Sequence, residues 1–183
     1  VISNNLANMS TTGYNPRRAE FADLQYQQAT RPGTLTATTG AMVPAGVQLG
    51  LGVRPASVTV MLGQGSPVQT NGDLDVAIEG NGYLEVTMPS GISAYTRDGS
   101  LKRSAEGQLV TSDGYPLVPD ITIPQETSSI SISPSGEVMA YFNDQVEPEN
   151  LGQITLANFV NPKGLEAIGS NLFLETTASG AAQ

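Results

Sequence analysis

Asp73 and Asp75 stand two residues apart in the stretch DLDVAIEG. On a strand both carboxylates would point to one face, and such a pair divides into acid and base when its surroundings separate the two pKa values. Beside a turn, the simpler reading is a pair of solvated charges that discourage edge-to-edge strand pairing. Arg97 next to Asp98 in TRDGSLKRS would suit a loop that holds an anion, and the same residues read more simply as a hairpin with Asp98-Gly99 at its tip. Asn143-Asp144 near Glu147 and Glu149 supplies oxygen ligands for calcium, but without the alternation and distal Glu of an EF-hand loop, so a turn is expected. The chain has no Cys, no His and no Trp. Thiolate chemistry, the usual general base, the commonest zinc ligands and the preferred sugar-stacking ring are therefore all missing. No catalytic residue, cofactor or metal site is expected.

Composition sets the frame for these residues. With 183 residues, 39% hydrophobic and only 14% charged, there is enough chain for one sizeable core. A net charge of -9 argues against nucleic acid as a partner, because a phosphate backbone is held by clustered Lys and Arg. The charge is uneven: residues 1–62 hold four Arg against two acids, and the acidic excess lies entirely beyond them. No run of 18 or more apolar residues occurs, and no basic-then-apolar leader precedes a small-residue cleavage site, so export is expected to use another route or a removed segment.

Two regions are expected, residues 1–62 and 63–183. Residues 14–45 begin with a short helical turn through Phe21 and Leu24 and dissolve into Thr, Gly, Pro and Ala, which is the composition of a linker or extended arm. Residues 46–62 alternate Val47, Leu49, Leu51 and Val53, then Val58, Val60 and Leu62, and read as two extended arms forming a long hairpin. From Asn71 onward, short strands are punctuated by Asn71-Gly72, Asn81-Gly82, Ser90-Gly91, Asp98-Gly99, Glu106-Gly107, Asp113-Gly114 and Ser135-Gly136. Period-2 patterning predicts a mainly β, antiparallel, barrel- or sandwich-like domain over residues 71–175, with Leu74, Val76, Ile78, Leu84, Val86, Ile130, Ile132, Ile154 and Leu156 buried and the opposite strand faces wet. A short extended tail follows.

The first residues differ from this β texture. Ile2, Leu6 and Met9 recur at i, i+4 and i+7, one face of a helix that stops at Gly13. A helix so short is marginal alone and needs a partner. Because the chain opens with Val, an upstream part of the same helix is expected to exist.

The stretch SNNLANMSTTGYNPRRAEF resembles the N-terminal signature of the bacterial flagellar axial proteins, the rod and hook family, on Asn5, Leu6, Ala7, Asn8, Thr11 or Thr12, Gly13 and Tyr14. The likeness continues through LGLGVRP, GQGSPVQTNGDLDVAIEGNGYLEV, AYTRDGSLKRSAEGQLVTSDGYPLVP, GQITLANFVNPKGLEAIGSNLF and ETTASG, which resemble the distal-rod members of that family. It departs at Tyr83-Leu84, where two aromatics are usual. The resemblance implies terminal helices packed as a coiled coil, with Ile2, Leu6 and Met9 as seam residues, and a helix here running from residue 1 to about 12. It implies a non-enzymatic subunit of a helical tube that carries motor torque to the hook and encloses the export channel, in the basal-body rod crossing the periplasm. The implied partners are further copies of itself, proximal-rod and hook-side axial proteins, a surrounding ring bushing and the flagellar type III export apparatus. Residues 26–44 correspond to a stretch that hook proteins lack, which disfavours a hook protein; a proximal-rod protein and a carbohydrate-binding β module are the remaining alternatives.

Overall fold

The structure is a computed structural model that describes residues 1–30, 32, 46–143 and 147–183. The chain forms two compact units, Val1–Ser3 with Pro16–Met61, and Asn4–Asn15 with Leu62–Gln183.

In the first unit, strands β1 (Arg17–Asp23) and β2 (Tyr26–Thr30) run out, and β3 (Val47–Gly50) and β4 (Val53–Val60) return. β1 pairs β4 and β2 pairs β3, both antiparallel, and Leu24 N–H donating to Gly52 O at 2.9 Å bridges the two ladders. Residues 46–62 therefore do not fold on themselves as a hairpin. Their partner is residues 17–30, where a helical turn and linker were expected; Phe21 and Tyr26 are good strand formers whose pairing lies some thirty residues away, beyond the reach of local patterning. The β1–β4 ribbon is two-faced. Ala19 opposes Val58 on one face, and on the other Glu20 accepts from Ser57 Oγ at 3.0 Å and from Thr59 Oγ1 at 3.4 Å. Phe21, Val53 and Val58 are all exposed.

The second unit holds the core. After helix α1 (Ile2–Ala7) and the ribbon, the chain forms β5 (Tyr83–Thr87), β6 (Ser93–Thr96), β7 (Lys102–Arg103), β8 (Leu109–Val110), β9 (Leu117–Val118), β10 (Thr127–Ile132), β11 (Glu137–Phe142), β12 (Glu149–Gln153), β13 (Leu156–Ala157), β14 (Glu166–Gly169) and β15 (Leu172–Leu174). One sheet has the order β13-β5-β6-β15-β14 with β9 also on β5; β10-β11-β12 and β7-β8 form two more. Among the described residues all pairings are antiparallel and the sheets do not close into a barrel.

Alternation along the three central strands explains how this sheet is buried on both sides. Leu84, Val86, Ala94 and Leu172 enter an aliphatic core with Leu101, Leu109, Leu117, Ile121, Ile123 and Val138. Their neighbours Tyr83, Tyr95 and Phe173 point the other way and cluster with Phe159: the rings of Tyr83 and Tyr95 meet Phe159 edge-to-face at 5.8 and 4.7 Å, and Phe173 meets Tyr83 at 5.9 Å. The face expected to be wet is thus a second, aromatic core, roofed by the C-terminal tail: Asn158 and Gln183 exchange backbone hydrogen bonds of 2.9 and 3.0 Å. Leu84, where the resemblance led a second aromatic to be expected, belongs to the aliphatic side.

Of the nine expected core residues, Ile78, Leu84 and Val86 are buried, and Leu74, Val76, Ile130, Ile132 and Ile154 pack partly buried against them. Leu156 is 41% exposed because β13 is an edge strand. LDVAIEG is not a strand; residues 72–75 turn, and Asp75 bridges Ser100. Ser90-Gly91, Glu106-Gly107 and Ser135-Gly136 do turn hairpins, between β5 and β6, β7 and β8, and β10 and β11. Asp98-Gly99 does not, since β7 pairs β8 and not β6.

Candidate assembly site at the N-terminal signature

α1 is six residues long, shorter than the twelve expected, and gives way to turns at residues 8–10. Asparagine side chains account for this early stop. Asn8 Nδ2 donates to the Asn4 carbonyl at 2.9 Å, and its Oδ1 accepts from Thr11 Oγ1 at 3.3 Å, so Asn8 offers the chain turn contacts in place of another helical turn. The Tyr14 hydroxyl donates to Asn5 Oδ1 at 2.9 Å and accepts from Asn4 Nδ2 at 3.1 Å, folding the exit of the turn back onto the helix. Gly13 carries φ of +71°, and a Cβ there would lie 3.0 to 3.2 Å from the Arg97–Asp98 backbone. Both facts demand glycine.

Of the signature residues, Asn5, Asn8, Gly13 and Tyr14 meet in this knot, and between the two threonines it is Thr11 whose hydroxyl joins them. Thr12 contributes its carbonyl, which accepts from Asn171 Nδ2 at 2.7 Å. Ala7 and Leu6 are exposed. The three residues expected to form a helix seam are left uncovered, Ile2 at 83%, Leu6 at 68% and Met9 at 76%; Met9 lies in the turns beyond α1 and not on the helix. Asn4 and Asn171 were not legible as members of the knot, because their side-chain bonds reach Tyr14 and Thr12 across 10 and 159 residues of sequence.

The residues that suggested other chemistry have structural partners or lie apart. Asp73 and Asp75 sit in an exposed turn, with the Asp75 carboxylate folded over Gly72. Arg97 donates to the carbonyls of Gly82 at 3.0 Å and Gly80 at 2.8 Å and to Gln64 Oε1 at 3.2 Å, and its guanidinium lies 5.7 Å from the Tyr83 ring. It lines an open cleft of about 430 Å³ with Asn15, Gln64, Tyr83 and Phe159. Asp98 Oδ1 accepts from the Ser100 N–H and hydroxyl. Asp144, one of the oxygen-bearing residues considered for calcium, lies outside the described residues; Glu147 and Glu149 are exposed. Among the described residues no group of His, Cys, Asp or Glu is placed to hold a metal ion, and no helix is long and apolar enough to cross a membrane. Burial pushes the phenols of Tyr83 and Tyr95 above their ordinary range; Arg97 partly opposes this at Tyr83, while Glu85 and Glu175 add to it at Tyr95.

A family model described as the flagellar hook protein FlgE/F/G D1 domain matches residues 77–140, the span from Ile78 to β11 that contains most of the aliphatic core. The flagellar basal-body rod protein FlgG of Caulobacter vibrioides is 53% identical over 182 residues, covering 100% of this chain and 70% of that protein. Its counterpart in Borreliella burgdorferi is 48% identical over 98% of this chain and 68% of its own length, and that of Bacillus subtilis 34% identical over 100% and 69%. Likeness at this level over the whole of this chain, and over more than two thirds of each relative, shows that the chain belongs to the flagellar basal-body rod protein FlgG family.

Proposed function

We propose that this chain is a structural subunit of the distal rod, polymerising helically with copies of itself into a tube that carries torque from the membrane motor to the hook and encloses the export channel. The observation that carries the reading is the location of exposed apolar side chains. Leu84, Val86, Leu109, Ile121 and Ile123 are buried in the aliphatic core, while Ile2 and Leu6 on α1, Met9 in the turn after it, and Phe21, Val53 and Val58 on the ribbon remain in water. A six-residue helix and a two-stranded ribbon are each marginal by themselves, and covering their apolar faces against other subunits would stabilise them. The seam role of Ile2, Leu6 and Met9 and the assembly role of Asn5, Leu6, Ala7, Asn8, Thr12, Gly13 and Tyr14 belong to this proposal, as do an ordered division at residues 62 and 63 and a non-catalytic role. Its partners are proximal-rod and hook-side axial proteins at the two ends, a ring bushing outside, and the flagellar type III apparatus that exports it. The test is deletion and complementation in the source bacterium. Loss of the rod and of swimming on deletion, with recovery from the wild-type gene but not from Leu6→Asp, is the expected result; intact rods after deletion would refute the proposal.

A further inference from the structure

The turn joining β14 to β15 holds two residues other than glycine at positive φ, Ser170 at 48° and Asn171 at 55°, between the paired Gly169 and Leu172. A two-residue hairpin turn with both φ positive favours glycine at its second position, where a residue lacking Cβ adopts the conformation at no steric cost. Asn171 occupies that position, and its side chain is used: Nδ2 donates to the carbonyl of Thr12 across 159 residues of sequence, at 2.7 Å. A costly backbone conformation that persists points to a task for the side chain it carries.

The next residue is held from another direction. Gly13 is seated on the Arg97–Asp98 backbone, 3.0 to 3.2 Å from where a Cβ would lie, so a side chain there would push against that backbone at a positive φ. That seat is itself fixed, because Arg97 is tied to Gly80, Gly82 and Gln64, and Asp98 N–H donates to Thr96 Oγ1 at 3.1 Å. Residues 12–13 are thus held by the β unit, and the Asn4, Asn5, Asn8, Thr11 and Tyr14 knot carries that grip back to the end of α1.

We propose that Asn171, with the Gly13 seat, is a latch of positioning residues that fixes the direction in which α1 leaves the β unit, and so the angle at which Leu6 and Met9 meet a neighbouring copy. The consequence for assembly rests on the rod-subunit reading; the latch itself does not. Two variants separate the side chain from the backbone. Asn171→Gly suits the positive φ and removes the donor, whereas Asn171→Asp keeps the size and turns an acceptor toward the Thr12 carbonyl. On this chain, amide hydrogen exchange is read at Thr11 and Tyr14, whose N–H groups donate to Asn8 O and Thr11 O. Exchange there rises about three- to tenfold in both variants, the span of one neutral hydrogen bond, while the melting temperature of Asn171→Gly is not lowered. Unchanged exchange in both variants overturns the latch. With the chromosomal gene replaced, both variants give fewer rods and reduced swarming; faster exchange with full swarming overturns the orienting role. Rods left intact by deletion of the gene would count against the rod reading alone, and the exchange result would still decide the latch.

Discussion

Gly99 shows how closely two backbone segments approach in the β unit: a Cβ there would overlap the carbonyl oxygen of Val76, although Gly99 itself is not at positive φ. Gly99→Ala must push the 74–78 segment off the core, and a loss of about 1–3 kcal/mol is expected in denaturant melts. Replacing the fully buried Leu84 with Ala costs about 2–5 kcal/mol by removing aliphatic contact and leaving a cavity. The aromatic side responds to pH instead. Burial raises the Tyr83 and Tyr95 phenols in the folded state, so the fold retains their protons to higher pH than the unfolded chain, where tyrosine titrates near 10. Their contribution is complete below pH 10 and is lost as pH rises through the raised folded values. Urea midpoints measured from pH 8 upward should fall above pH 10, and fall less steeply in Tyr83→Phe. Period-2 patterning made Leu84 and Val86 legible as core, but it could not show that Tyr83 is core as well, because burial on both faces depends on a tail docking from residues 176–183.

At the level of elements, hairpins with a glycine at the tip were legible where the two strands are consecutive, as at Ser90-Gly91 and Ser135-Gly136. Asp98-Gly99 carries the same local chemistry and was misread, since β6 takes β5 and β15 as neighbours and leaves no edge for β7. The ribbon was legible only by half. Its returning arms alternate visibly, whereas the outgoing strands contain Arg, Glu and Gln and depend on a distant partner. α1 was legible as an apolar stripe but not in its length, which Asn8 and Tyr14 set through side-chain bonds that periodicity does not register. For this element the expected outcome of Leu6→Asp is selective: Leu6 is exposed, so the melt of the β unit stays within about 0.5 kcal/mol of wild type while rod assembly is lost. A comparable loss of stability in that variant would mean that Leu6 serves the fold of the β unit.

The whole molecule divides its labour between a unit with a core and a unit without one. All members of the two buried clusters lie between Ile78 and Phe173, so residues 62–183 alone should melt in a single cooperative transition, followed by circular dichroism and tyrosine fluorescence together. Residues 16–61 alone should show no cooperative transition, because the two-stranded ribbon exposes Phe21, Val53 and Val58 and covers little. On the rod-subunit reading, those exposed residues and the N-terminal apolar stripe are the surfaces on which copies meet. A helical reconstruction of rods isolated from the source bacterium tests it most directly. The expected result is density for this chain in the distal rod, with Ile2, Leu6, Met9 and Phe21 buried between neighbouring copies; rods in which those side chains face solvent, or from which this chain is missing, would overturn the assignment of these surfaces.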